Sequence, residues 1–144
     1  MRSVFDQDYP SIEYIVMDGG STDETAQVVE PYRLRLASYQ SGPDRGQAHA
    51  INEGWSRATG EVVAWLNSDD VYLPGAVRQA VEALSQHPEA GGVYADGIMV
   101  DRDLTVLDRH YYRQLSVLDL LCFEVTLVAR RSCVLINDVH QATT

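Results

Sequence analysis

The chain has 144 residues, enough for one domain, and its 45% hydrophobic and 22% charged residues are typical of a globular protein. Its formal net charge of -10 repels a phosphate backbone, so we expect no nucleic-acid partner. No apolar run approaches the roughly 18 residues that span a bilayer, and the first residues lack the apolar stretch of a secretory signal. These properties predict a cytoplasmic globular protein that can bind an anionic ligand only with the help of a cation.

The first predicted unit is a strand, a turn and a helix. Residues 13–17 form a short run of mostly apolar and β-branched residues, which favours a buried strand that ends at Asp18. Two glycines then permit a tight turn. Ser21, with Glu24 three residues later, matches the capping box that opens a helix, and we expect this helix to end before Pro31.

Three further elements precede a run of four polar residues, Asn67-Ser68-Asp69-Asp70. Residues 34–40 form a weaker strand candidate, and the apolar residues between positions 48 and 58 recur at helical spacing. Residues 61–66 form the strongest strand candidate. Their near-continuous apolar run leaves little room for a solvated face, as expected in a parallel sheet that is covered on both sides.

The second half of the chain has a weaker pattern. Apolar residues at helical spacing predict a helix with Pro74 in its first turn and an end before Pro88, and residues 92–100 form a strand candidate. Residues 115–121 are compatible with a short helix and residues 125–128 with a strand. The alternation of strands and helices predicts the α/β class, with a mainly parallel sheet flanked by helices.

Acidic residues follow two of the predicted strands, namely Asp18 after the first and the Asp69-Asp70 pair after the run at 61–66. Ligands of parallel sheets collect at the carboxyl ends of the strands, so we expect both groups to face one crevice. Mg²⁺ or Mn²⁺ needs only one or two protein carboxylates when water and substrate phosphates complete its coordination. An adjacent acid pair taken alone is more often a helix cap or part of a turn.

The turn that begins at Asp18 is open to two interpretations. Its glycines let a ligand approach the backbone, and the Asp18 carboxylate can accept hydrogen bonds from a nucleobase or a ribose. Taken alone, the same residues more often form only a turn and a helix cap. The sequence has neither a Gly-x-Gly-x-x-Gly nor a Gly-Lys-Ser/Thr motif, which leaves a metal ion as the expected means of binding phosphate.

Four motifs in succession resemble the signatures of family 2 glycosyltransferases, in that family's order and spacing over residues 3–101. They are Gln7-Asp8-Tyr9-Pro10, the segment 15–23, Asp44-Arg45-Gly46 with Asn52-Glu53-Gly54, and Thr59-Gly60-Glu61 leading into Asn67-Ser68-Asp69-Asp70. Each motif is weak alone, but four in register make a strong resemblance.

The resemblance implies a GT-A fold and inverting transfer of a sugar from a nucleotide-diphosphate donor, usually a UDP-sugar, to a saccharide or lipid-linked acceptor. By position, Asp18 is implied to contact the base and Asp69 the ribose or donor sugar. Asp70, with Asp69 beside it, is implied to bind Mn²⁺ or Mg²⁺. Asp44 and Arg45 match, more loosely, a loop that lies near the nucleotide in the family.

The resemblance is also incomplete at both ends. Family members begin with an apolar strand that this chain lacks, and they continue beyond an Arg-Arg-Ser segment, here at 130–132, to an acidic motif that carries the catalytic base. We therefore expect one truncated domain over residues 1–144, with a donor-binding portion at 3–101 and the start of an acceptor-side portion, followed by a tail, at 102–144. Weak or absent turnover is the expected consequence. Asp96 is an acceptor-side candidate, although a role in a turn is commoner, and Asp119 and Asp138 lie in the wrong surroundings for the base.

Two other functions compete with an active transferase. A non-catalytic remnant would bind nucleotide or serve as an interaction domain, and the missing strand would leave an unpaired sheet edge that favours self-association. A sugar-phosphate nucleotidyltransferase also places acids and metal around a nucleotide, but it needs a glycine-rich basic loop near its start that this sequence lacks. A longer parent protein could be peripheral to a membrane.

Overall fold

A computed structural model describes residues 1–111 and 128–130, and it has the α/β class that the sequence predicted. In chain order the described elements are α1 (Arg2–Phe5), β1 (Ile15–Asp18), α2 (Thr25–Val29), a 3-10 helix (Glu30–Arg35), β2 (Ser38–Ser41), α3 (Gln47–Arg57), β3 (Val62–Ala64), α4 (Ala76–Gln86), β4 (Gly92–Val93), β5 (Gly97–Val100), β6 (Val106–His110) and β7 (Val128–Arg130).

The described strands form three small sheets. β1 and β2 are parallel, with Ile15 opposite Ser38 and Asp18 opposite Ser41. β7 lies between β3 and β4 and is antiparallel to both, and β5 and β6 form an antiparallel hairpin. Among these strands the expected parallel pairing is therefore confined to β1 and β2, and this pair places Asp18 beside the end of its neighbour.

The capping box predicted at Ser21 is wrong. α2 begins only at Thr25, and the Ser21 hydroxyl donates to Oδ1 of Asp18 at 2.6 Å instead of capping the helix. Oδ1 of Asp23 accepts hydrogen bonds from the backbone N–H and the hydroxyl of Thr25. The helix was also expected to end before Pro31, but a 3-10 helix follows α2 directly and contains Pro31. Proline fits the first turn of this helix, where its missing N–H is not needed.

The predicted strands are shorter in the structure than in the sequence pattern. The candidate at 34–40 is helical in its first two residues, and β2 begins only at Ser38. β3 covers three residues of the run at 61–66, and the run at 92–100 divides into β4 and β5. The helix expected at 115–121, most of the strand expected at 125–128, the expected tail, and Asp119 and Asp138 lie outside the described residues.

The helices around the candidate site agree better with the predictions, because both α3 and α4 have several turns of periodic apolar residues. The buried core of the described residues is small: its members are Val4, Val29, Val63 and Leu84. α3 packs closely on β1, since a Cβ at Gly54 would lie 3.3 Å from Cγ of Met17. This close approach places α3 against the end of β1, since Met17 directly precedes Asp18. Among the helices of the described residues, none combines the length and the apolar character that a membrane crossing requires.

Candidate functional site

Asp18 is the last residue of β1, and its carboxylate accepts hydrogen bonds from the turn that follows β1 and from the neighbouring strand β2. The backbone N–H and the hydroxyl of Ser21 donate to Oδ1 at 3.0 and 2.6 Å. The hydroxyls of Ser41 and Tyr39 donate to Oδ2 at 2.5 and 3.5 Å. The Ser21 and Ser41 hydroxyls lower the pKa of Asp18, so the carboxylate is ionised at neutral pH and can only accept hydrogen bonds.

Asp44 lies beside Asp18, on the loop that follows β2. A Cβ added at Gly19 would lie 3.1 Å from Oδ2 of Asp44, so the Asp44 carboxylate lies close to the backbone that follows β1. Oδ1 of Asp44 accepts the backbone N–H of Gly46 at 2.7 Å, which fixes the loop just before α3 begins. Arg45 is exposed on the same loop. The structure therefore brings Asp18 and Asp44 together at one small cavity, whereas Asp69 and Asp70, which were expected to face the same crevice as Asp18, do not line it.

His49, which sequence analysis did not select, and Glu53, which it placed in a motif without a role, line the same small cavity as Asp18 and Asp44. The cavity has a volume of about 50 Å³. His49 and Glu53 are four residues apart on α3, so they share one face of the helix. Nδ1 of His49 is buried and has no hydrogen-bond partner within the part of the chain that the structure describes. The i, i+4 spacing of these two polar residues, next to the apolar face of α3, is the sequence signal that could have identified them.

Asp69 and Asp70 lie in an exposed turn after β3. The backbone N–H of Asp70 donates to the carbonyl oxygen of Asn67 at 3.2 Å, and Nδ2 of Asn67 donates to Oδ2 of Asp70 at 3.0 Å. Nε2 of Gln47, the first residue of α3, donates to Oδ1 of Asn67 at 2.7 Å. This last hydrogen bond connects the helix that follows the Asp44 loop to the turn that carries the two acids.

A family comparison decides the class of protein to which this site belongs. Residues 1–117 match the model of the family described as glycosyl transferase family 2. The chain belongs to this family. The resemblance seen in the sequence is thereby confirmed, together with the assignment of the chain to the glycosyltransferases as a class. The family match favours a glycosyltransferase over the alternative hypothesis of a sugar-phosphate nucleotidyltransferase.

Three curated relatives of this family 2 chain come from bacteria. It is 31% identical over 115 residues to an uncharacterized glycosyltransferase of Nostoc sp., covering 74% of this chain and 34% of that protein. It is 39% identical over 111 residues to an uncharacterized glycosyltransferase of Mycobacterium tuberculosis, covering 76% and 41%. A poly-beta-1,6-N-acetyl-D-glucosamine synthase of Staphylococcus epidermidis is 30% identical over 95 residues, covering 65% and 23%. The chain thus spans less than half the length of these relatives.

A solved structure supports the fold. The crystal structure of S. aureus TarS 1-349 in complex with UDP matches with a TM-score of 0.70 and 23% sequence identity, covering 96% of this chain and 44% of that chain. This likeness confirms the expected GT-A fold.

The acid pair of this family 2 chain suits a divalent cation. Neither Asp69 nor Asp70 forms an ion pair within the described ranges, and both are exposed carboxylates, the hard oxygen ligands that Mg²⁺ and Mn²⁺ prefer. No group of three or more His, Cys, Asp or Glu side chains that could hold a metal ion occurs among residues 1–111 and 128–130. A cation at this turn would therefore need further oxygen ligands from water or from a bound diphosphate.

Two other features lie outside this arrangement. Asp96 is exposed just before β5 and does not line the cavity of Asp18 and Asp44. A wider groove of about 420 Å³ runs between the Asp8 turn and α4, but none of the predicted site residues lines it. Arg78 in this groove is paired with Asp8 at 2.8 Å and with Glu82 at 3.3 Å, so its charge is already neutralised.

Proposed function

We propose that this chain is the donor-binding part of an inverting glycosyltransferase that takes a UDP-sugar and transfers the sugar to a hydroxyl of a saccharide or lipid-linked acceptor. The observation that carries the proposal is the hydrogen bond from Gln47 to Asn67. Gln47 begins α3 directly after the Asp44 loop, and Asn67 lies in the turn of Asp69 and Asp70, so this contact connects the segments that carry the two acidic groups. The solved neighbour holds UDP on the same fold, which supports a uridine donor.

In the proposed site, the end of β1 recognises the nucleoside. An ionised Asp18 suits the imide N–H of a uracil or the hydroxyls of a ribose, since both groups donate hydrogen bonds. Asp44 and Arg45 lie on the neighbouring loop and would flank the nucleotide. Asp69 is assigned to the ribose or the donor sugar, as well as to the metal ion.

Asp70, assisted by Asp69, would hold Mn²⁺ or Mg²⁺. When bound, such an ion neutralises the negative charge that develops on the departing diphosphate. The contribution of the chain is to present two carboxylates at one exposed turn and to hold Asp70 with the Asn67 amide.

Inversion requires a base that takes the proton of the acceptor hydroxyl while this oxygen attacks the face of the sugar opposite the diphosphate. We assign the donor-binding portion to residues 3–101 and the beginning of the acceptor side to residues 102–144, with Asp96 as an acceptor-side contact. The base itself is unassigned, so we expect the chain to bind UDP with metal but to transfer or hydrolyse the donor weakly or not at all. Turnover comparable with that of an intact family member would contradict this expectation.

Isothermal titration of UDP into the folded chain tests the proposal. We expect heat of binding with Mn²⁺ present and at least a tenfold weaker interaction in excess EDTA. Asp70→Asn should weaken the Mn²⁺-supported binding by a similar factor, because the substitution removes a negative metal ligand. Asp103→Asn, a matched change at an exposed aspartate in the β5–β6 turn, should leave it unchanged. Binding that is absent, or equal in Mn²⁺ and EDTA, would contradict the proposed function.

A further inference from the structure

Three side chains form a continuous chain of hydrogen bonds across the candidate site. Nε2 of Gln47 donates to Oδ1 of Asn67 at 2.7 Å, and Nδ2 of Asn67 donates to Oδ2 of Asp70 at 3.0 Å. Gln47 is twenty residues away from Asn67 in sequence and opens a different element, so the contact joins two separate parts of the fold.

The direction of this chain of hydrogen bonds is fixed by chemistry. An ionised carboxylate only accepts hydrogen bonds, so Asn67 must turn its NH₂ group toward Asp70. Its carbonyl oxygen then faces Gln47, whose NH₂ group donates to it. If Gln47 lost this donor, Asp70 would still select the NH₂ group of Asn67, but the Asn67 carbonyl oxygen would lose the partner that holds it in place. The Asn67 side chain would then move more freely and would hold the carboxylate of Asp70 less firmly.

The position of Gln47 depends in turn on the Asp44 loop. Oδ1 of Asp44 accepts the backbone N–H of Gly46 at 2.7 Å, directly before Gln47 starts α3. A ligand that contacts the Asp44 loop therefore acts on the segment from which Gln47 projects. Through Asn67, the same segment holds the carboxylate assigned to the metal ion.

We propose that Gln47 and Asn67 are positioning residues that fix the carboxylate of Asp70 for the metal ion and couple it to the nucleotide loop at Asp44. This inference rests on the proposed function, because it concerns the metal ligand of that site. Gln47 acts only through Asn67, so the effects of removing the two side chains should not be additive.

The test is the affinity for Mn²⁺ in the presence of saturating UDP, measured from the free-ion signal in electron paramagnetic resonance. Gln47→Ala and Asn67→Ala should each raise the Mn²⁺ dissociation constant about tenfold, the lower end of the range for losing a partner of a metal ligand. The affinity for UDP in EDTA should change less than about twofold, since the base contacts at Asp18 are unaltered. Gln27→Ala, a matched change at an exposed glutamine of α2, should have no effect on either constant.

The double variant decides how Gln47 acts. In the Asn67→Ala background, Gln47→Ala should leave the Mn²⁺ constant unchanged, and Gln47→Met, which keeps the length of the side chain without its donor, should behave like Gln47→Ala. Full additivity, or a Gln47→Ala chain that binds Mn²⁺ as the parent chain does, would overturn the inference while the proposed function stands. A parent chain without Mn²⁺-supported UDP binding would overturn both.

Discussion

The carboxylate of Asp18 is held by one residue that is near in sequence and one that is distant. Its carboxylate accepts hydrogen bonds from Ser21 in the turn after β1 and from Ser41 at the end of β2, and these donors lower its pKa. An aspartate held in this way offers a fixed acceptor at the carboxyl end of the parallel pair. The proposed contact with a nucleoside uses this property.

Removal of either hydroxyl should raise the pKa of Asp18 toward the ordinary value of an aspartate. A ¹³C titration of the side-chain carboxyl signal in Ser21→Ala and Ser41→Ala measures this directly, with Ser56→Ala on α3 as the control. Because folding lowers this pKa, the hydrogen bonds to Asp18 stabilise the fold at pH values above the pKa of the unfolded chain. That contribution is lost as the pH falls through the lowered pKa of the folded chain. An unchanged titration in both variants would show that the two hydroxyls do not hold the carboxylate.

Sequence analysis selected the acids of the proposed site but few of the residues that form hydrogen bonds with them. Asp18 and Asp70 could be selected because they follow strand-like runs, which are a local signal. No such signal marks the residues that contact them from a distance. Tyr39 and Ser41 reach Asp18, and Gln47 reaches Asn67, only after chain segments some twenty residues apart have come together. Ser21 was selected but given the wrong role, since its hydroxyl reached back to Asp18.

Hydrogen bonds from α1 and from the segment after it hold the loop that follows Asp69 and Asp70. Nε2 of Gln7 donates to the carbonyl oxygen of Leu73 at 3.0 Å, and Oε1 of Gln7 accepts the backbone N–H of Val77 at 3.1 Å. The hydroxyl oxygen of Ser3 accepts the backbone N–H of Tyr72 at 3.2 Å. These contacts give the Gln7 motif a structural task, which is to fix the connection between the Asp69-Asp70 turn and α4.

Gln7→Ala should therefore destabilise the fold. The substitution removes hydrogen bonds to the loop and to the first turn of α4, and we expect a loss of about 1–3 kcal/mol in the free energy of unfolding. Urea unfolding followed by circular dichroism measures this loss, and Gln27→Ala is the control. A change below about 0.5 kcal/mol would mean that the loop is held by other contacts.

Element length decided which helices and strands could be predicted. α3 and α4 each have eleven residues, enough for several turns of periodic apolar side chains. β3 and β4 have three and two residues, too few for a pattern that fixes their ends. The 3-10 helix replaced the start of a predicted strand because Pro31 is compatible with its first turn.

At the scale of the whole molecule, strand pairing was the least predictable property. β7 pairs with β3 and β4, although it follows them by more than thirty residues. The local sequence of a strand does not indicate which distant strand it will pair with. The GT-A fold was nevertheless predictable, because four motifs in order specify a family arrangement that no single element specifies.

The edge of the parallel pair is the basis on which we expect self-association. Among the described strands, β1 pairs only with β2, so its other edge has no strand partner there. Such an edge can accept a strand from a second copy of the chain. We expect sedimentation velocity to show a sedimentation coefficient that rises with protein concentration. A single monomeric species over a hundredfold range of concentration would contradict this.

Paramagnetic broadening of the backbone amide signals can show residue by residue whether the Asp69-Asp70 turn holds a divalent cation together with UDP. In the UDP-saturated, ¹⁵N-labelled chain, substoichiometric Mn²⁺ should broaden the amides of Asn67, Ser68, Asp69 and Asp70 most strongly. The broadening should fall off along α4, whose far end lies about 15 Å along the helix from its start. Strongest broadening at another acidic segment, such as the Asp101–Asp103 turn, or no site-specific broadening in a folded chain, would contradict the account.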